Sequence, residues 1–140
     1  MTKTQTKKQV LADNSEYKTL INAVINRIGM DAVQDVNNHG INGGFSGFIY
    51  YSDTVKFFKT YKKDILKMAE NMASELGEDM ITMISNFNCL SSGDYRNRKP
   101  DYTPTEIGEA IFSGRGENAT QIQNAMAWFA AEEVCRMFDR

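Results

Sequence analysis

Histidine appears once in this chain, as His39, and cysteine twice, as Cys89 and Cys135. A structural zinc site normally draws on four Cys or His ligands, so a metal centre of that kind is not expected, nor is any other metal or cofactor. No run of about 18 apolar residues occurs anywhere, which argues against a membrane-spanning helix. The opening MTKTQTKKQVLADNS has no apolar stretch of the kind a secretory signal needs. The expectation is a protein of the cytoplasm with two reduced thiols and no membrane association. Neither sign of charge dominates: 16 Lys and Arg oppose 18 Asp and Glu, a net charge of −2. That balance excludes a strongly basic nucleic-acid glove and a supercharged acidic mimic of DNA.

What is present is the material of a helical core. Hydrophobic residues make up 41% and aromatics 11% of 140 residues, enough for one domain. Residues 1–70 hold 10 Lys/Arg and 7 Asp/Glu, a sum of +3, and residues 71–140 hold 6 and 11, a sum of −5. Ordinary solvated helix faces account for an asymmetry of that size.

The longest pattern begins at Ser52 or Asp53 and runs to Leu76. Val55, Phe58, Ile65, Ala69, Met72 and Leu76 recur at helical spacing, and Phe57, Tyr61, Leu66 and Met68 widen the stripe. Lys56, Lys59, Lys63, Lys67, Glu70 and Glu75 fall mainly off that face. Ser52 and Asp53 are N-cap residues, and Gly77 stands where a C-cap belongs.

Other helices are expected on both sides. Residues 1–14 are polar, with Lys3, Lys7 and Lys8, and read as a disordered arm before a helical domain over 15–140. Ser15 to Ile28 carries a stripe of Leu20, Ile21, Val24, Ile25 and Ile28, ended by Gly29. Met30 to Asn38 follows as a short helix with Ala32, Val33 and Val36 inward. Gly77 to Asn86 is a further helix, with Glu78 and Asp79 at the positive end of its dipole. Thr103-Pro104-Thr105-Glu106 is a capping box with proline at the first helical position, closed by Ser113-Gly114. A last helix runs from Asn118 to about Phe138, with Ile122, Met126, Phe129, Val134 and Met137 inward and Trp128, Ala130 and Cys135 beside them. At least one of Glu132 and Glu133 must lie near the edge of the core. The fold class is mainly α: one domain of five or six helices, its long central helix packed on the C-terminal one.

No motif points to a reaction, and no catalytic residue is assigned. His39 could form a general base with Asp31, Asp35 or Asp53, but it reads better as a turn residue before glycine. Glu78, Asp79, Glu106, Glu109, Glu132 and Glu133 could in principle form a paired acid site, which needs convergence that spacing does not supply. Cys135 reads as buried and inert. Two loops remain as contact surfaces. The glycine-rich HGINGGFSG is surrounded by Phe45, Phe48, Tyr50 and Tyr51, and it lacks the pattern of a phosphate-binding loop. The polar LSSGDYRNRKPDY carries Arg96, Arg98 and Lys99 among tyrosines, a mixture that single-stranded nucleic-acid surfaces also use. The plainer reading is the better one for each: a tight turn whose aromatics plug the core for the first, and a solvated loop for the second.

The segments GGFSGFIYYSDTVKFF, YTPTEIGEAIFSG and QNAMAWFAAEEVCRMF resemble a small uncharacterised domain family associated with bacteriophages, prophages and plasmids. The likeness spans about residues 43–138. It implies a setting and no site residues: an accessory protein made during growth of a phage or mobile element, in the cytoplasm of the host cell. Proteins of this size in that setting often bind and block bacterial defence complexes such as CRISPR or restriction systems. The expected function is therefore non-enzymatic inhibition of a defence protein or protein–nucleic acid complex, with Phe45, Phe48, Tyr50, Tyr51, Arg96, Arg98 and Lys99 as the contact residues. Direct nucleic-acid binding by a regulatory protein is the alternative, and a small carboxylate enzyme is a third reading.

Overall fold

The computed structural model describes residues 5–39, 51–86 and 102–139, and every element among them is helical. In chain order these are α1 (Lys7–Asp13), a 3₁₀ turn (Ser15–Tyr17), α2 (Lys18–Ile28), α3 (Met30–His39), α4 (Tyr51–Leu76), α5 (Met80–Asn86) and α6 (Pro104–Gly108). α6 continues into a π-helical turn (Glu109–Ser113), and α7 (Ala119–Arg136) ends in a 3₁₀ turn (Met137–Asp139). The mainly α class expected from periodicity is the observed one.

The helix boundaries follow local chemistry. Gly29 closes α2 at a φ of 87°, in the left-handed half of backbone space that glycine enters without a Cβ penalty. At the end of α4 the Gly77 N–H donates to the Ser74 carbonyl at 3.2 Å and the Glu78 N–H to the Ala73 carbonyl at 2.9 Å. That pair of bonds is a Schellman turn, which satisfies carbonyls the helix leaves open. Asp79 starts α5 by accepting from the Thr82 N–H at 2.7 Å and the Thr82 hydroxyl at 2.9 Å. Those bonds, the backbone one first, hold its carboxyl below the usual range. The expected capping box at Thr103 is present: its hydroxyl accepts from the Glu106 N–H at 3.1 Å, and the Glu106 carboxylate accepts from the Thr103 N–H.

One helix was not expected. Lys7–Asp13, read from the sequence as part of a disordered arm, is α1. Thr6 and Gln9 form a second capping box, with the Gln9 N–H donating to the Thr6 hydroxyl at 3.2 Å and the Thr6 N–H to Gln9 Oε1 at 2.9 Å. Val10 is fully buried. The spacing Thr6-x-x-Gln9 ahead of Val10 was the signal, hidden by the lysines around it.

The chain divides into two compact units. The first holds α1, α2, α3 and the chain from Ala131 onward. Val10, Tyr17, Leu20, Ile21, Val24, Ile25 and Val33 are its buried side chains before the C-terminal segment adds Val134, Cys135, Met137 and Phe138. α1 and α3 both pack on the closing 3₁₀ turn, and the Gln5 N–H donates to the Phe138 carbonyl at 3.0 Å.

The second unit holds α4, α5, α6 and α7 up to Ala130. Here α4 packs on α7, as the matching lengths of their apolar stripes suggested. Val55, Phe57, Phe58, Ile65, Met68, Ala69 and Ala73 of α4 are buried. Polar ties add direction: the Ser85 hydroxyl donates to the Tyr102 carbonyl at 3.2 Å, and the Tyr102 hydroxyl to Gln121 Oε1 at 2.7 Å. The buried Gln123 amide donates to the Ala110 carbonyl at 3.0 Å. Leu76 departs from its expected stripe, and Phe112 is a second exposed apolar residue. Leu76 is 61% exposed, because it is the last residue before the Gly77 turn, and Phe112 is 53% exposed, one residue past the buried Ile111.

α4 is bent at Tyr61, whose φ of −109° and ψ of 20° leave the helical region. The Thr60 hydroxyl donates to the Lys56 carbonyl at 2.9 Å, the back-bond to residue i−4 that bends helices. The Phe57 and Tyr61 rings pack at 4.8 Å across the bend.

Replacing Thr103 with Ala removes a hydroxyl that caps α6, so stability should fall by about 1 kcal/mol. Chemical denaturation monitored by circular dichroism checks this, and an unchanged midpoint would mean that Pro104 alone fixes the start of α6.

Candidate functional site

Lysine is concentrated on α4. Lys56, Lys59, Lys63 and Lys67 are all exposed. On an ideal straight helix they would share an arc of roughly 80°; the bend at Tyr61 divides them into two pairs, Lys56 with Lys59 and Lys63 with Lys67. Glu70 follows three residues after Lys67 on the same side. The opposite side of the helix carries the buried Phe58, Ile65, Met68 and Ala69, so the cations are presented by a helix locked into a core. Lys62 is half-buried on a different side of the helix. A row of ammonium groups on a rigid face can hold successive phosphates of a nucleic acid or carboxylates of an acidic protein surface. From the sequence these lysines read only as the solvated side of an amphipathic helix. Their spacing of three, four and four residues was the available signal, and it was outweighed by the more conspicuous aromatic loop beside them.

The contact residues chosen from the sequence cannot be compared with this face. Phe45, Phe48, Tyr50, Arg96, Arg98 and Lys99 lie outside the described residues, and so does the side chain of Tyr51, the first residue of α4. Cys89 and the His39 side chain lie outside them too.

The carboxylates are placed as follows. Glu78, Asp79, Glu106 and Glu109 are exposed, with Asp79 and Glu106 engaged as caps. Asp31 and Asp53 are exposed and Asp35 is half-buried. Among the described residues no three of His, Cys, Asp and Glu come together as a metal-binding group.

Glu132 and Glu133 differ from these. At 5% and 7% exposure both are buried, although only one needed to approach the edge of the core. Arg136 accounts for it: one guanidinium nitrogen pairs with Glu132 and another with Glu133, from four and three residues further along the helix. The Arg136 side chain is 33% exposed, and its single positive charge offsets one of the two carboxylate charges. Cys135 sits within this cluster. Burial first, and then the Glu132 charge, push its thiol up to about 12. A thiol so placed is not a nucleophile, as the apolar setting of Cys135 suggested. Two buried side-chain oxygens make no hydrogen bond among the described residues: Asn124 Oδ1 and Glu132 Oε2, the second oxygen of the carboxylate that pairs with Arg136 through Oε1.

Comparison with known proteins gives a family and no activity. The family described as a domain of unknown function, DUF7222, matches residues 8–140, so the chain belongs to it. No curated protein and no solved structure matches the chain.

Two predictions follow from the α7 cluster. Arg136→Ala strands two buried carboxylates and should cost roughly 3 kcal/mol, partly recovered when Glu132→Gln and Glu133→Gln are added. A loss under about 0.5 kcal/mol in urea unfolding would reclassify the pairs as ordinary surface ones. In a Cys89→Ser background, Cys135 should resist a thiol-reactive disulfide reagent at about pH 8 and react on denaturation. Rapid labelling of the folded protein would contradict its burial.

Proposed function

We propose that this member of the DUF7222 family is a non-catalytic binding protein, and that the lysine row of α4 is its contact face for a polyanionic partner. The observation that carries this reading is the exposure of Lys56 and Lys59 before the Tyr61 bend, and of Lys63 and Lys67 after it, on a helix whose Phe58, Ile65, Met68 and Ala69 are core. Four exposed cations favour an anionic surface of matching length over a small substrate. The finer reading is an accessory protein of a phage or mobile element. It acts in the host cytoplasm, where it binds and inhibits a bacterial defence complex of the CRISPR or restriction type. Its support is the sequence resemblance together with this chemistry: such complexes handle nucleic acid and expose phosphate backbones. The aromatic residues Phe45, Phe48, Tyr50 and Tyr51, with Arg96, Arg98 and Lys99, remain proposed as additional contacts.

Direct binding to nucleic acid is the second reading, favoured by the same four lysines. It carries a quantitative signature. If all four contact duplex phosphates, the dependence of log affinity on log salt should have a slope near −3.6, from about −0.9 per contact.

The test is affinity capture from a bacterial lysate containing defence systems, with and without nuclease, using the native protein and a Lys56→Glu, Lys59→Glu, Lys63→Glu, Lys67→Glu variant. A nuclease-resistant defence-complex subunit, retained by the native protein and reduced at least about tenfold with the variant, is the expected result. Capture abolished by nuclease would select the nucleic-acid reading, and equal capture by both proteins would remove α4 from the interface.

A further inference from the structure

The first unit carries a groove of about 600 Å³ that shares no residue with the α4 row. It is lined by Lys7, Lys8, Leu11, Ala12, Ser15 and Lys18. The lining surface is mainly apolar, as Leu11, Ala12 and lysine stems supply, with a smaller polar part and no carboxylate among the lining residues. Its volume lies within the range of small-molecule sites.

The groove is built on anchored backbone. α1 is fixed at its start by the reciprocal Thr6–Gln9 cap and at its centre by the fully buried Val10. At its end the Asn14 side-chain amide donates to the Val10 carbonyl at 3.1 Å, and the Asn14 N–H donates to the same carbonyl at 3.0 Å. The Tyr17 N–H then donates to the Asn14 carbonyl at 2.9 Å, which sets the turn that brings Ser15 and Lys18 to the groove. A disordered polar arm would have no reason to hold Val10 in a core and lysines around a concavity. Binding here requires little further ordering of the backbone, which preserves affinity.

We propose that this groove binds a soluble anionic amphiphile: a carboxylate or phosphate monoester on an apolar chain of about eight carbons. A bare anion would leave the Leu11 and Ala12 surface wet. A bare hydrocarbon would leave the polar part of the lining and the three lysines of the groove without an anionic partner from the ligand. A molecule with both parts satisfies the lining: the head takes charge-assisted bonds from the lysines and the Ser15 hydroxyl, and the chain covers Leu11 and Ala12.

Octyl phosphate below its micelle concentration is the probe, titrated into isotope-labelled full-length protein and read by backbone amide shifts. Saturable shifts concentrated over residues 7–18 are expected. Inorganic phosphate alone and octanol alone should each bind at least about tenfold more weakly. A Lys7→Gln, Lys8→Gln, Lys18→Gln variant and a separate Leu11→Glu variant should each weaken octyl phosphate by a similar factor, whereas the four α4 substitutions should leave it unchanged. Shifts that map elsewhere, that fail to saturate, or that survive both groove variants would overturn the assignment. Binding to phosphatidylglycerol vesicles without binding to monomeric octyl phosphate would also overturn it, because the groove would then be a membrane-contact patch.

Discussion

Two adjacent buried carboxylates on α7 depend on one arginine, and much of the structure depends on their being tolerated. Glu132 and Glu133 lie in a stretch where Ala131, Val134 and Cys135 are also buried, so this turn of helix has almost no wet side. A helix enclosed in this way can carry charge only if the charge is matched within reach. Arg136 supplies one positive charge for the two, placed three and four residues along, where helical geometry brings side chains together. The consequences extend outward through the first unit. With α7 held into its last turn, Met137 and Phe138 can close the core against α1 and α3, and Gln5 can bond to the Phe138 carbonyl. The high pKa of Cys135 belongs to the same arrangement, since burial and the Glu132 charge both resist its ionisation.

The two proposed contact surfaces belong to helices whose inner faces are fixed. α4 turns Phe58, Ile65 and Ala69 inward and its lysines outward, and the bend at Tyr61 has a local cause in the Thr60 hydroxyl. α1 turns Val10 inward, and its lysines line a groove. In each case side chains buried in a core fix the helix that carries the charge. Rigid presentation of this kind suits recognition, because little conformational freedom is lost on contact.

The sequence was most legible where one residue type has one local use. Gly29, Gly77 and Gly114 ended helices as expected, and Thr103 with Glu106 started one, because positive φ and capping are properties of a few neighbouring atoms. The long stripe of α4 and its packing on α7 were also readable, since period and length survive without knowledge of partners. Legibility failed where two signals competed. The lysines at 7 and 8 made the Thr6–Gln9 cap look like part of a tail. Leu76 fitted the inner stripe by period, but a helix end changes what its last residue faces. Glu132 and Glu133 could be placed near a core edge, whereas burial of both required knowing that Arg136 folds back over them. The α4 row was visible as spacing, yet exposure of all four lysines is a tertiary fact. The aromatic and arginine-rich loops lie outside the described residues, so their expected roles stand as proposals.

Lysine footprinting tests the central claim most directly. The captured complex and the free protein would be acetylated briefly, and the modification at each lysine read by mass spectrometry. Selective protection of Lys56, Lys59, Lys63 and Lys67 in the complex, with Lys62 and the groove lysines Lys7, Lys8 and Lys18 labelled as in the free protein, is the predicted result. Unchanged labelling along α4 with protection elsewhere would show that the partner contacts a different surface.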